Sequence, residues 1–105
     1  MAPPKLLEPD VIEDDDGPKV HNPVLPTNKS QFNGNKDFGE RWNKALQTSV
    51  KTRSDRKKAD DAALKADPSL ENKPGWREAY DTHEERLDNE MAAQEVVNEF
   101  LLDFE

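Results

Sequence analysis

The sequence predicts a mostly α-helical protein, in which an extended or disordered, proline-rich N-terminal arm precedes two long antiparallel helices that form a helical hairpin. Apolar side chains recur every three or four residues in two long stretches, which predicts the helices. A short segment with two prolines separates these stretches, and residues 1–35 hold the other six of the eight prolines. We therefore divide the chain into an arm, 1–35, and a helical hairpin, 36–105.

The composition limits how large a core the chain can build. Leucine, isoleucine, valine and phenylalanine make up 20 of 105 residues, while charged residues make up 36%. Chains this poor in large apolar side chains and this rich in charge lie near the boundary of intrinsic disorder. We therefore expect folding to depend on economical helix packing, a second copy of the chain or a protein partner.

The arm is acidic, with a net charge of −4 over residues 1–28, and it shows no apolar period. Each proline removes a backbone donor and favours extended geometry in the preceding residue. Short apolar pairs between the prolines and acids suit separate shallow pockets on a partner. These pairs are Leu6-Leu7, Val11-Ile12 and Val24-Leu25. A solubilising tail that binds nothing is the alternative interpretation of the arm.

The first helix is predicted from about residue 37 to residue 66. Asp37 followed by Glu40 is similar to a capping box and marks its start. One helical face is apolar and then narrows to small residues toward the end. The members of this face are Phe38, Trp42, Leu46, Val50, Ala59, Ala63 and Ala66.

The second helix is predicted from about residue 76 to residue 104. The preceding connection, 67–75, contains Asp67-Pro68 and Pro74-Gly75, which are signals that end one helix and begin the next. The apolar stripe of the second helix is predicted to contain Trp76, Tyr80, His83, Leu87, Met91, Gln94, Val97, Leu101 and Phe104.

If the chain reverses direction in this connection, residues that face each other have numbers summing to roughly 142. Trp42 then lies opposite Phe100, and Leu46 lies opposite Val96. The same register sets Ala59 against His83. It sets Ala63 against Tyr80 and Ala66 against Trp76. It also sets the basic segment 41–58, with seven Lys or Arg and one Asp, against the acidic segment 84–101. Such exposed pairs select orientation more than they add stability.

A lone hairpin leaves apolar surface uncovered near its C-terminus, because the apolar residues there form a face broader than one helix can cover. Acids also crowd the last turns of the second helix, against the helix dipole, and an external basic partner would compensate for this. We therefore expect a partner to contact the arm pairs and this C-terminal face. The candidate partner-binding residues are Leu6, Leu7, Val11, Ile12, Val24, Leu25, Val96, Phe100, Leu102 and Phe104.

No pattern in the sequence indicates catalysis. The absence of cysteine excludes thiolate chemistry, and His21 and His83 lack convergent partners at a recognised spacing. The carboxylates are predicted to spread over helix exteriors, without the contrasting burial that an acid–base pair needs. The basic cluster at 51–58 has no interleaved aromatic residues and lies between acidic segments. We therefore predict no enzyme, no cofactor, no metal and no direct contact with nucleic acid.

The sequence favours a non-enzymatic interaction or assembly protein, a small structural subunit that docks on a larger multiprotein assembly of the virion or scaffolding type. The expected partners are other proteins or further copies of the chain, not a membrane or a small-molecule substrate. The alternative is an acidic regulatory inhibitor that occupies a basic, nucleic-acid-binding site on a partner protein. No apolar run is long enough for a signal peptide or a membrane span, so a soluble protein is expected.

Overall fold

A computed structural model describes residues 8–14 and 17–105 of the chain. Two long helices, α1 (Lys36–Ala66) and α2 (Trp76–Leu102), run antiparallel and confirm the predicted helical hairpin. Contacts across the hairpin join Ser49 to Glu90, Lys57 to Glu84, and Asp61 to Tyr80. All three pairs agree with the predicted register to within one helical turn.

The helix ends follow from local capping. The Asn35 side chain accepts a hydrogen bond from the backbone N–H of Phe38, so the cap of α1 lies two residues before the predicted Asp37. Asp67 ends α1 and begins the 3-10 turn Pro68–Asn72. The hydroxyl and then the backbone N–H of Ser69 hydrogen-bond to the Asp67 carboxylate, and they lower its pKa. Gly75 precedes α2 with φ of 84°, a conformation that favours glycine.

The described part of the arm contains regular structure that the sequence did not predict. Strands β1 (Val11–Asp14) and β2 (Gly17–Val20) form an antiparallel ribbon in which Val11 pairs with Val20. A 3-10 turn, Lys29–Phe32, follows and leads into α1. The strands escaped prediction because acids are poor strand formers, and the adjacent Val11 and Ile12 break the alternation expected of a half-buried strand.

The core lies at the open end of the hairpin, where the arm covers both helices. Phe32 of the arm is fully buried and stacks on Phe100 of α2, with ring centroids 4.5 Å apart. Val20 of β2 is also buried here. The helices contribute Phe38, Trp42, Ala45, Leu46, Ala93, Val97 and Phe100. The chain's own arm therefore covers part of the surface that the sequence predicted to need an external partner.

The end of the hairpin near the bend is packed differently, and here the prediction was wrong. Ala59, Ala63 and Ala66 are exposed and do not receive the large side chains of α2. Instead Trp76 stacks on Tyr80, with centroids 5.4 Å apart. The Tyr80 hydroxyl donates to Asp61 over 2.8 Å, and this hydrogen bond raises the pKa of Tyr80. At this end α1 therefore presents Asp61, and not its alanines, to Tyr80.

Gly39 of α1 lies directly against the Phe100 side chain of α2. A Cβ atom added to Gly39 would lie 2.7 Å from two atoms of the Phe100 ring. That ring cannot move away easily, because it stacks on Phe32 and makes an edge contact with Phe104. Glycine is therefore required at this position by packing.

Gly39→Ala is expected to destabilise the fold by about 1 kcal/mol, because overpacking outweighs the helix propensity that alanine adds. Urea unfolding followed by circular dichroism measures this change. In a Phe100→Leu background the ring is absent, so the same substitution is expected to stabilise. A stabilising effect in both backgrounds would show that Gly39 is not a packing position.

Candidate interaction surface

A buried carboxylate joins the two helices at the middle of the hairpin. The Glu90 side chain is 1% exposed, and the Ser49 hydroxyl donates to its Oε2 over 2.7 Å. The Nε of Arg53 lies 2.9 Å from both carboxylate oxygens. Since burial of an unpaired carboxylate would be costly, these donors are what allows Glu90 to occupy the core side of α2.

Arg86 extends this cluster to the arm. Its Nη2 donates to the backbone oxygen of His21 over 3.0 Å, while its Nε lies 3.7 Å from Glu90 Oε1. Two further ion pairs tie the arm to the helices, Arg41 with Glu8 and Lys29 with Asp103. The segment that follows His21 is thereby held alongside α2.

An apolar groove lies between this segment and α2, and we call it the arm groove. It has a volume of about 490 Å³. Residues 23–27 form one wall, and the other wall is formed by Asn89, Ala92, Ala93 and Val96. None of these nine residues is charged. A second depression of about 220 Å³ adjoins it toward Thr82 and shares Pro23, Leu25 and Asn89 with it.

Four exposed acids run along α2 beside the arm groove, and we call them the acidic row. They are Glu85, Asp88, Glu95 and Glu99. With Ala92 between them, their numbers step by three or four, so they occupy one stripe of the helix. Within the described residues none of the four makes an ion pair. The row spans roughly 21 Å at about 1.5 Å per residue.

A second groove lies between α1 and α2, and no residue of the arm lines it. Val50 and Met91 form apolar parts of its lining, but charges of both signs surround them, including Lys51, Asp55 and Glu95. This interhelix groove therefore lacks both the uncharged walls of the arm groove and a single sign of charge beside it.

The structure separates the predicted partner-binding residues into three groups. Phe100 lies in the core, and Val96 and Leu25 are half-buried against it, so Phe100 is not available to a partner. Leu6 and Leu7 lie outside the described residues. The exposed members are Val11, Ile12, Val24, Leu102 and Phe104, at 38–60% exposure. Of these, Val24 lines the arm groove.

Sequence reasoning missed Glu90 and misplaced Met91. The predicted stripe contained Met91, which is 51% exposed, whereas Glu90 in the same turn is buried. Leu87, Ala93, Val97 and Phe100 are buried at a spacing of three or four residues that includes position 90. That spacing was the available signal, and an acid within it indicates a buried ion pair.

The described residues contain no cluster of side chains suited to metal binding. Over 8–14 and 17–105, no three of the histidine, aspartate and glutamate side chains converge as metal ligands. His21 is exposed and His83 is half-buried. Neither long helix is apolar enough over a sufficient length to cross a bilayer.

Glu90→Gln is expected to lower the free energy of unfolding by about 3 kcal/mol, because it leaves the Arg53 guanidinium without its counter-charge in a buried place. The matched control is Glu84→Gln, which removes the exposed partner of Lys57 and should cost less than about 1 kcal/mol. Urea unfolding midpoints measure both. Equal losses would show that the Glu90 cluster is no stronger than a surface ion pair.

Neutralising Glu95 and Glu99 together is expected to stabilise the isolated chain by about 0.3–1 kcal/mol, since like charges four residues apart repel and negative charge near a helix C-terminus opposes the dipole. Thermal unfolding of Glu95→Gln/Glu99→Gln at low salt measures this gain, which should shrink in 1 M NaCl, where the Debye length is about 3 Å. Glu78→Gln, in the first turn of α2, should have the opposite sign. A destabilised double variant would contradict the assignment of these acids as unpaired.

No protein-family model, curated protein or solved structure matches this chain. Its function is therefore inferred from the arm groove, the acidic row and the exposed apolar residues themselves.

Proposed function

We propose that this chain is a non-enzymatic interaction protein, a small subunit that docks on a larger protein assembly, of the virion or scaffolding type, through the exposed side of α2 and the arm segment beside it. The observation that carries the proposal is the uneven distribution of exposed large apolar side chains. Of the six in the part of the chain that the structure describes, three, Met91, Leu102 and Phe104, lie on or just after α2, and Val24 lies beside it. The other two, Val11 and Ile12, lie on β1. Among the described residues α1, although longer, contributes none.

This asymmetry supports docking because the chain has few large apolar residues, and exposing several of them to solvent gives up burial that would stabilise the fold. The arm already covers Phe100 and Val97, so the exposed residues are what remains after the chain has packed its own core. Exposed large apolar side chains concentrated on one helix of a small protein are typical of contact surfaces. The polar contacts that hold the arm in place keep this surface formed before a partner arrives.

The acidic row favours the second candidate function, an acidic inhibitor that occupies a basic, nucleic-acid-binding site on a partner. Its four carboxylates face solvent without ion pairs to the described residues. Binding of this kind would be lost as salt screens the charges and would compete with nucleic acid. Docking through apolar residues would survive moderate salt.

The test is capture of partners by the tagged chain at about 50 mM and about 500 mM NaCl, with a mass measurement of the isolated chain. In Val24→Asp/Leu102→Asp, capture should fall by about 30-fold at both salt concentrations, since losing an anchor at an interface costs about 2 kcal/mol or more. The isolated chain should be monomeric, because the proposed partner is another protein.

The matched control is Ala62→Asp/Ala63→Asp, which adds the same charge to exposed positions of α1. It should capture partners as the unmodified chain does, and both variants should keep their helical circular dichroism. Equal capture by the two variants would overturn docking through the α2 side. Capture only at low salt, with displacement by nucleic acid, would favour the inhibitor instead.

A further inference from the structure

We infer that the occupant of the arm groove is a basic amphipathic helix of a protein partner, with its apolar side in the groove and its Lys or Arg residues along the acidic row. This inference rests on the proposed function and names the chemistry of the partner. Both the shape of the groove and the charge beside it support this occupant.

The groove suits a helix in its length and in its walls. The arm groove and the adjoining depression, which Glu85 and Arg86 also line, together follow α2 from Thr82 to Val96, which is roughly 21 Å at about 1.5 Å per residue. A helix of about 14 residues has the same length. Ala92 is small and exposed, so it allows a second helix to approach closely. Residues 23–27 form the opposite wall and carry no charge. Pro23 and Val24 are its exposed apolar residues, because Pro26 is buried and Leu25 is packed against the core.

The charge beside the groove selects a basic partner. The acidic row follows the groove along α2, and no residue of the arm groove carries a positive charge. Arg86 lines the adjoining depression, but it is already bonded to His21 and lies near Glu90. Lys29 pairs with Asp103, so it is not directed to the row. Cations on one flank of a docked helix would meet Glu85, Asp88, Glu95 and Glu99 in succession, because both helices repeat every three or four residues.

Glu95 and Glu99, the two members of the acidic row nearest the C-terminus of α2, destabilise the free chain, and a cationic partner reverses the sign of that contribution. The interhelix groove offers no comparable selection, since lysines and acids alternate around it. A second copy of the chain is disfavoured as the occupant because its net charge of −8 would bring two acidic surfaces together.

The experiment is a titration of the full chain with a labelled peptide of about 14 residues, with leucine at the i, i+3, i+4 and i+7 spacing and lysine elsewhere. Fluorescence anisotropy gives the Kd, and amide chemical shifts locate the site. We expect shifts to concentrate at 24–27 and 85–96, and the bound peptide to be helical. A peptide with glutamate in place of lysine should not bind.

Two variants separate groove binding from diffuse attraction. Neutralising the acidic row as Glu85→Gln/Asp88→Asn/Glu95→Gln/Glu99→Gln should weaken binding at least about tenfold. The matched control neutralises four exposed acids elsewhere, as Glu13→Gln/Glu40→Gln/Glu71→Gln/Glu78→Gln, and should leave the Kd within about twofold. Ala92→Trp fills the groove without changing its charge and should also weaken binding at least about tenfold.

The inference is overturned if the control loses as much affinity as the row variant, if Ala92→Trp binds normally, or if the shifts lie in the interhelix groove or along β1. A bound peptide that stays extended, or a chain whose mass shows a dimer that covers the groove, would overturn it as well. If these results occur while capture still depends on Val24 and Leu102, the docking function stands and only the chemistry of the partner is withdrawn. If capture is also independent of these residues, both fail.

Discussion

The stacking of Phe32 on Phe100 is the contact on which the rest of the structure depends. Two helices alone bury only one side of each, and this chain has too few large apolar residues for a wide interface. Phe32 and Val20 supply a third layer over the two helices. Trp42, Leu46 and Val97 pack in the same cluster and are fully or almost fully buried. Toward the bend the arm is absent, and the alanines of α1 remain exposed. The arm is therefore part of the core and also a wall of the candidate site.

Polar contacts determine where the arm lies, while the apolar contacts supply most of its stability. Arg86 contacts the buried Glu90 and also bonds the backbone of His21, so one guanidinium links the register of the helices to the path of the arm. A buried carboxylate has few acceptable positions, because it must reach its donors on the facing helix. Glu90 thus fixes the register of α2 against α1. The same cluster places residues 23–27 beside α2 and so forms the arm groove.

The sequence predicted the hairpin well because its helices have strong and local signals. The ends of α1 and α2 came out within a few residues, since caps, prolines and Gly75 act on neighbouring backbone. The register followed from chain reversal and from the match between basic and acidic segments. The path of the arm was not predictable in this way, because Phe32 and Val20 reach the core through contacts with residues far away in the sequence. The same holds for Glu90, whose burial depends on Ser49 and Arg53 across the hairpin.

The charges of α2 then divide into those that the fold uses and those that it does not. Glu84 and Glu90 have cations opposite them on α1, and Asp103 has Lys29 of the arm. Glu85, Asp88, Glu95 and Glu99 are exposed and make no ion pair with the described residues. The two nearest the C-terminus oppose the dipole and repel each other. Folding alone gives no reason to place four carboxylates along one stripe, since glutamine at these positions would keep the helix and remove the repulsion. A cationic surface brought against α2 would turn this repulsion into attraction, which is the physical basis for proposing that the acidic row serves binding.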